Sequence, residues 1–151
     1  MQALEKIITT KSWVTALIML LFIGVVLLKA LDTNRLKGSV FSLFNINLIE
    51  SESDENTSFF DAFKIVIFMF TVIVLSLLTY RFKTYRLSIN VTSFSSYLPI
   101  FLSLLSYFLI KRTLEYLLFH LFLIKRDVLF FIVSKVNYLH TITFLLYLVI
   151  V

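Results

Sequence analysis

Apolar positions come in long blocks along this chain and do not recur at the spacing of an amphipathic helix or strand. The first block, SWVTALIMLLFIGVVLL, runs over about 12–28 between Lys11 and Lys29. The second, IVIFMFTVIVLSLLTY, covers about 65–80 and is closed by RFKTYR, which carries Arg81, Lys83 and Arg86. The third covers about 98–124 and is closed by Lys125, Arg126 and Asp127. Continuous apolar runs of this length read as membrane spans. Trp13, Tyr80 and Tyr85 stand at block ends, where aromatic residues mark the membrane–water interface. A last apolar run, TITFLLYLVIV, follows the mixed stretch VLFFIVSKVNYLH, which Lys135, Asn137 and His140 interrupt. Eleven apolar residues are too few to cross a hydrocarbon core of about 30 Å. The pattern therefore predicts a partial span from about 138 to 151, or a segment that starts earlier and carries Lys135 near the interface.

The expected fold is all-α: a polytopic helical membrane protein of about four membrane-associated helices plus an interfacial segment, forming one domain over 1–151. The first block reads as a retained span. Its apolar part exceeds a usual signal sequence, and KALDTN is a poor cleavage site. Residues 29–64 form a connection in three parts. KALDTNRLKG is basic. SVFSLFNINLI is too short to span and has helical apolar spacing, which suits a segment lying in the interface. ESESDENTS, residues 50–58, reads as a solvated acidic loop and lacks the Gly turn of a calcium loop. Pro99 suits an early helical position, with Ser95 or Ser96 as cap.

Composition agrees with the blocks. Hydrophobic residues make up 60% of the chain and charged residues 15%, against about a quarter charged in ordinary soluble domains. With no Cys, disulfides, thiol catalysis and Cys-ligated metal are excluded. With two Gly, no phosphate loop and no GxxxG helix-pairing motif is possible. The net charge of +5 sits at span ends and gives no support to a nucleic-acid partner. Alternating spans put Lys6, Lys11, Arg81, Lys83 and Arg86 on one side, against Lys29, Arg35, Lys37 and Lys64 on the other. The denser cluster favours a cytoplasmic amino terminus in a multi-pass inner-membrane protein.

The third block holds the candidate chemistry. Lys111, Arg112 and Glu115 lie inside it; a helix over Pro99 to Ile124 would have Lys111 and Arg112 at its midpoint, whereas a span over Leu87 to Ile110 would make those two end-of-helix anchors. Each charge at mid-bilayer costs roughly 2.5–3.5 kcal/mol on insertion scales. Lys111 and Glu115 are i and i+4 and can pair, with Arg112 competing for the same carboxylate. A different side carries Ser96, Pro99, Ser103, Ser106, Ile110, Thr113, Leu117 and His120 at alternate spacings of three and four. Such a seam lets helices approach closely and hydrogen-bond. Its phase is unbroken through Thr113, so one continuous helix is expected. No catalytic set, metal-ligand cluster or cofactor motif is found, so the chain is read as no enzyme, with no cofactor.

The elements KSWVTALIMLLFIGVVLLKAL, NRLKGSVFSLFN, FDAFKIVIF, FLIKRTLEYLLFHLF and FFIVSKVNYLHTITFLL, in that order, resemble an uncharacterised family of polytopic inner-membrane proteins from Bacteroidetes, domain-of-unknown-function family 4271. The resemblance covers the chain from about Lys11 onward. Its most specific element is Lys111-x-x-x-Glu115 within an apolar helix. It implies no activity and no functional residue. Family members look longer, which implies truncation within the last span. Their gene neighbourhoods imply partners among polyprenol-phosphate sugar transferases or tetrapyrrole enzymes. The leading expectation is a scaffold, anchor or subunit of a membrane complex, in contact with the lipid bilayer and with a membrane-protein partner or a second copy. The alternatives are a transporter or ion-path component using Lys111, Arg112 and Glu115, and a partner of a lipid-linked sugar enzyme.

Overall fold

A computed structural model describes residues 2–41, 61–87, 93–122 and 126–151, with side chains over 12–41, 61–86, 93–118, 120–121 and 131–151. Most of the interfacial segment expected after Gly38, and the whole acidic stretch 50–58, lie outside the described residues. Among the described residues there are five helices and no strand. They are α1 (Gln2–Leu31), α2 (Thr33–Phe41), α3 (Ala62–Leu87), α4 (Phe94–Phe122) and α5 (Arg126–Ile150). Four contain stretches long and apolar enough to cross a membrane: Ser12–Leu31, Ala62–Arg86, Phe94–Leu118 and Phe131–Ile150. The two shortest, Ser12–Leu31 and Phe131–Ile150 at 20 residues each, span about 30 Å as helices, the thickness of a hydrocarbon core.

All four stretches differ from the sequence pattern at one end or both, and two of the differences bear on the candidate residues. The apolar run expected from about 138 is the second half of α5, which begins at Arg126 and is apolar enough to cross from Phe131. Lys135, Asn137 and His140 are thus carried inside a helix long enough to span. Hydropathy blocks broke there because the polar side chains have protein neighbours, which a one-dimensional pattern does not register. At the other difference, α4 starts at Phe94, and Pro99 is its sixth residue. Ser93 precedes the helix, and its backbone carbonyl accepts from the Ser96 N–H at 3.1 Å.

The helices are arranged around α3. Half of its apolar stretch is buried, against 6% for α4. Helices α1, α4 and α5 each pack on α3, and the short α2 packs on α1 and α5. At the middle of this core, Phe70 stacks on Phe144 at 5.0 Å and meets Tyr147 edge-on at 5.3 Å. Gly24 gives Phe70 its room on the α1 side: a Cβ there would lie 3.6 Å from the ring. At one end Trp13 of α1 touches Tyr80 of α3 and both Phe94 and Tyr97 of α4, at centroid distances of 5.3, 5.7 and 5.3 Å. These contacts put the α1 amino terminus, the α3 carboxyl terminus and the α4 start at the same end of the bundle.

The other end is fastened by acidic caps. Asp32 is the single residue between α1 and α2, and its Oδ1 accepts from the Asn34 and Arg35 N–H groups at 2.9 and 3.1 Å. This is N-cap geometry. Asp61 precedes α3 and caps it through the Phe63 N–H at 3.3 Å. Arg35 joins the two caps, with Nε 3.5 Å from Asp32 Oδ2 and its NH1 nitrogen bonded to Asp61 Oδ2. That hydrogen bond holds the Asp61 carboxyl below its ordinary range, against the opposing effect of desolvation, with help from the Phe63 N–H.

Candidate functional site

The charged residues of α4 fall on the flank that turns toward α5. Because α4 and α5 run antiparallel, Glu115 faces a residue twenty positions further along. Lys135 Nζ donates to Glu115 Oε1 at 3.1 Å. The spacing within α4 had offered Lys111 as the partner. Among the described residues Lys111 makes no ion pair, and the carboxylate is taken by α5. Intrahelical spacing lists the partners available on one helix, and a chain fold adds the ones across the gap. The Lys135 side chain is half exposed and that of Glu115 a quarter exposed. Arg112, one turn from Glu115, sets its guanidinium 5.8 Å from the centroid of Phe68 on α3. That is within cation–π range.

Beside this pair lies a polar layer that the sequence pattern had not brought together. On α5, Ser134, Asn137, His140, Thr141 and Thr143 are all buried. On α2, Gly38 and Ser39 are buried against them. Thr141 Oγ1 lies 2.6 Å from the Ser39 carbonyl and 3.1 Å from the Asn137 carbonyl, so its one proton joins α2 to α5 or returns to its own helix. The Ser39 hydroxyl is buried with no hydrogen-bond partner. His140 lies within electrostatic reach of Arg112. A signal for this layer was present: Ser134, Asn137 and Thr141 follow the same three-and-four spacing that defined the seam of α4.

That seam takes the opposite orientation. Ser103, Ser106, Thr113 and His120 are exposed, and Ser96 is half-buried. The residues α4 turns to α3 are Tyr97, Ile100 and Phe101. Thr113 satisfies its hydroxyl on the Leu109 carbonyl of its own helix at 2.8 Å, and His120 stacks on Tyr116 at 6.4 Å. The structure thus separates the two groups of candidate residues: Glu115 and Arg112 reach side chains on other helices, whereas Ser103, Ser106, Thr113 and His120 are exposed on the outside of α4. Among the described residues no three His, Asp or Glu converge as a metal site would require.

Four long apolar helices, a central helix half buried by the others, and a buried polar layer on the helix that packs against α2 define a polytopic helical membrane protein. Within that class the chain matches the model of one family, described as Domain of unknown function (DUF4271), over residues 14–151. The chain belongs to this family. Comparison with curated proteins and with solved structures found no match.

Proposed function

We propose that the chain is a non-enzymatic subunit of a membrane complex, a scaffold or anchor that receives a partner helix on the outer face of α4. The observation that carries this reading is the orientation of α4. It spends its aromatic face on α3 and leaves Ser103, Ser106 and Thr113 on the outside, in register. Small residues on an exposed helix face allow close backbone approach, which is the main source of helix affinity in lipid. The polar groups inside the bundle have a structural use that fits the same reading. Glu115–Lys135 ties α4 to α5, and Thr141 sits between α5 and α2. The family resemblance supports a bacterial inner membrane as the setting, and the basic cluster of α3 supports a cytoplasmic amino terminus. The test is crosslinking in native membranes from single Cys residues at Ser103 or Ser106, in a chain with no native Cys. The expected product is a defined adduct with a membrane protein or a second copy. Recovery of monomer alone refutes the reading.

A second reading is an ion or proton path. The observation that favours it is the Glu115–Lys135 contact across α4 and α5, with Arg112 within electrostatic reach of both Glu115 and His140. It requires Glu115→Gln to abolish the cellular role while insertion and folding persist. A fully active Glu115→Gln protein excludes it.

A further inference from the structure

The last turns of α3 project beyond the aromatic collar formed by Trp13, Tyr80, Phe94 and Tyr97. Helix α3 continues seven residues past Tyr80, to Leu87. That is about 10 Å along the axis at 1.5 Å per residue. An aromatic collar marks the edge of the hydrocarbon core. The polar layer beyond that edge is about 5–8 Å thick on each side, from the difference between the whole bilayer and its core. Arg81, Lys83 and Arg86 therefore fall within or just at the outer limit of the layer that holds lipid phosphates. All three are exposed, and among the described residues none is paired with an acid. Phe82 and Tyr85, interleaved with them, are 66% and 88% exposed. Such large aromatic surface is costly in water and favourable at the headgroup level. By sequence, α1 adds Lys6 and Lys11 at the same end, with Glu5 as its one acid.

We propose that this end of α3 is a binding surface for anionic phospholipid headgroups, with Arg81, Lys83 and Arg86 contacting the phosphates and Phe82 and Tyr85 seated between the headgroups. Charge complementarity selects the lipid class. The helix carboxyl terminus carries partial negative charge that by itself repels anions. Three full positive charges outweigh it. A basic residue at an anionic surface contributes about fivefold in affinity. The surface lies at the far end of α3 from the Arg35–Asp61 bridge, and it is independent of the partner-helix reading of α4.

The chain carries its own reporter, because Trp13 of the collar is its only Trp. The experiment reconstitutes the full chain in phosphatidylcholine vesicles containing phosphatidylglycerol, with bromine on the acyl chains of one lipid or the other. Quenching of Trp13 then measures which lipid lies beside it. Brominated phosphatidylglycerol is expected to quench more strongly than brominated phosphatidylcholine at equal mole fraction. The preference is expected to fall several-fold in the variant Arg81→Gln, Lys83→Gln, Arg86→Gln, and to weaken at high salt. Equal quenching in the wild-type protein overturns the proposal, as does a preference that survives the triple substitution. If the triple variant does not insert, the salt arm on the wild-type chain decides: a preference insensitive to molar salt overturns it. Abolition of the preference by inorganic phosphate at constant ionic strength assigns the bases to a free anion and also overturns it.

Discussion

The contact between Ser76 and Tyr97 offers a sharp test, because its two halves are unequal. Tyr97 of α4 and Ser76 of α3 are 2% and 0% exposed, and their oxygens lie 2.6 Å apart. Ser76 has one proton, and its hydroxyl donates to the Ile73 carbonyl at 2.9 Å. Tyr97 must therefore be the donor between them. Removing the tyrosine hydroxyl leaves Ser76 with its acceptor intact. Tyr97→Phe should cost about 0.6 kcal/mol, the mean measured for interhelical hydrogen bonds in lipid. Removing the serine hydroxyl instead strands a buried phenol, which costs about 1–3 kcal/mol. In the Tyr97→Phe background that penalty disappears, and Ser76→Ala should become neutral, helped by the better helix propensity of Ala. The double-mutant cycle should thus show a coupling of at least about 1 kcal/mol, with the larger loss on the serine side. The assay is unfolding in mixed micelles of rising dodecyl sulfate, followed by the fluorescence of Trp13, whose ring touches Tyr97. Additive effects, or a Tyr97→Phe loss larger than that of Ser76→Ala, would show that the proton runs the other way or that water reaches the site.

Three further outcomes are expected. A double-mutant cycle on Glu115 and Lys135 should give a coupling of about 0.6–1.7 kcal/mol, the mean and upper values for polar contacts between helices in lipid, and the charge-swapped pair should recover most of it; coupling above about 3 kcal/mol would mean that the pair is sealed from all polar surroundings. Thr141→Val should cost about 1 kcal/mol and speed thiol labelling of a Cys placed at Ser39, whereas Thr141→Ser should do neither, with labelling rates as the check. Asp61 has a folded-state pKa below its unfolded value, so its contribution is complete above an unfolded pKa of about 3.9 and is lost as pH falls through the lower, folded value. Stability measured from neutral pH downward should accordingly fall in acid, and Asp61→Asn should remove that part of the fall.

The charged flank of α4 shows what could be read at the level of sequence. Lys111, Arg112 and Glu115 stood out because charges inside an apolar block are rare and costly. Their placement on one side of one continuous helix followed from helical period alone. Their partners did not follow, because Lys135 lies on another helix and the period of α4 contains no information about α5. The polar layer of α5 was half legible. Its spacing was visible, but Asn137 and His140 looked like interruptions of a span until the burial of α5 against α2 and α3 gave them protein surroundings.

The sequence by itself determined the solvent and the secondary structure. Blocks of apolar residues as long as a bilayer core, without the alternation of barrel strands, read as helices in lipid, because backbone N–H and C=O groups there must be satisfied without water. The same blocks, with Trp13, Tyr80 and the RFKTYR cluster at their ends, pointed to approximate span ends, whereas the apolar stretches run on to Arg86 in α3 and begin at Phe131 in α5. The tertiary structure decided which helix is central, which faces are covered and which charges meet. Those depend on contacts between residues far apart in the chain: Phe70 against Gly24 and Phe144, Tyr97 against Ser76, and Glu115 against Lys135. In lipid, apolar side chains gain little from leaving their solvent, so hydrophobicity cannot specify which face packs. Shape and a few polar contacts make that choice, and they became visible only when the helices were assembled.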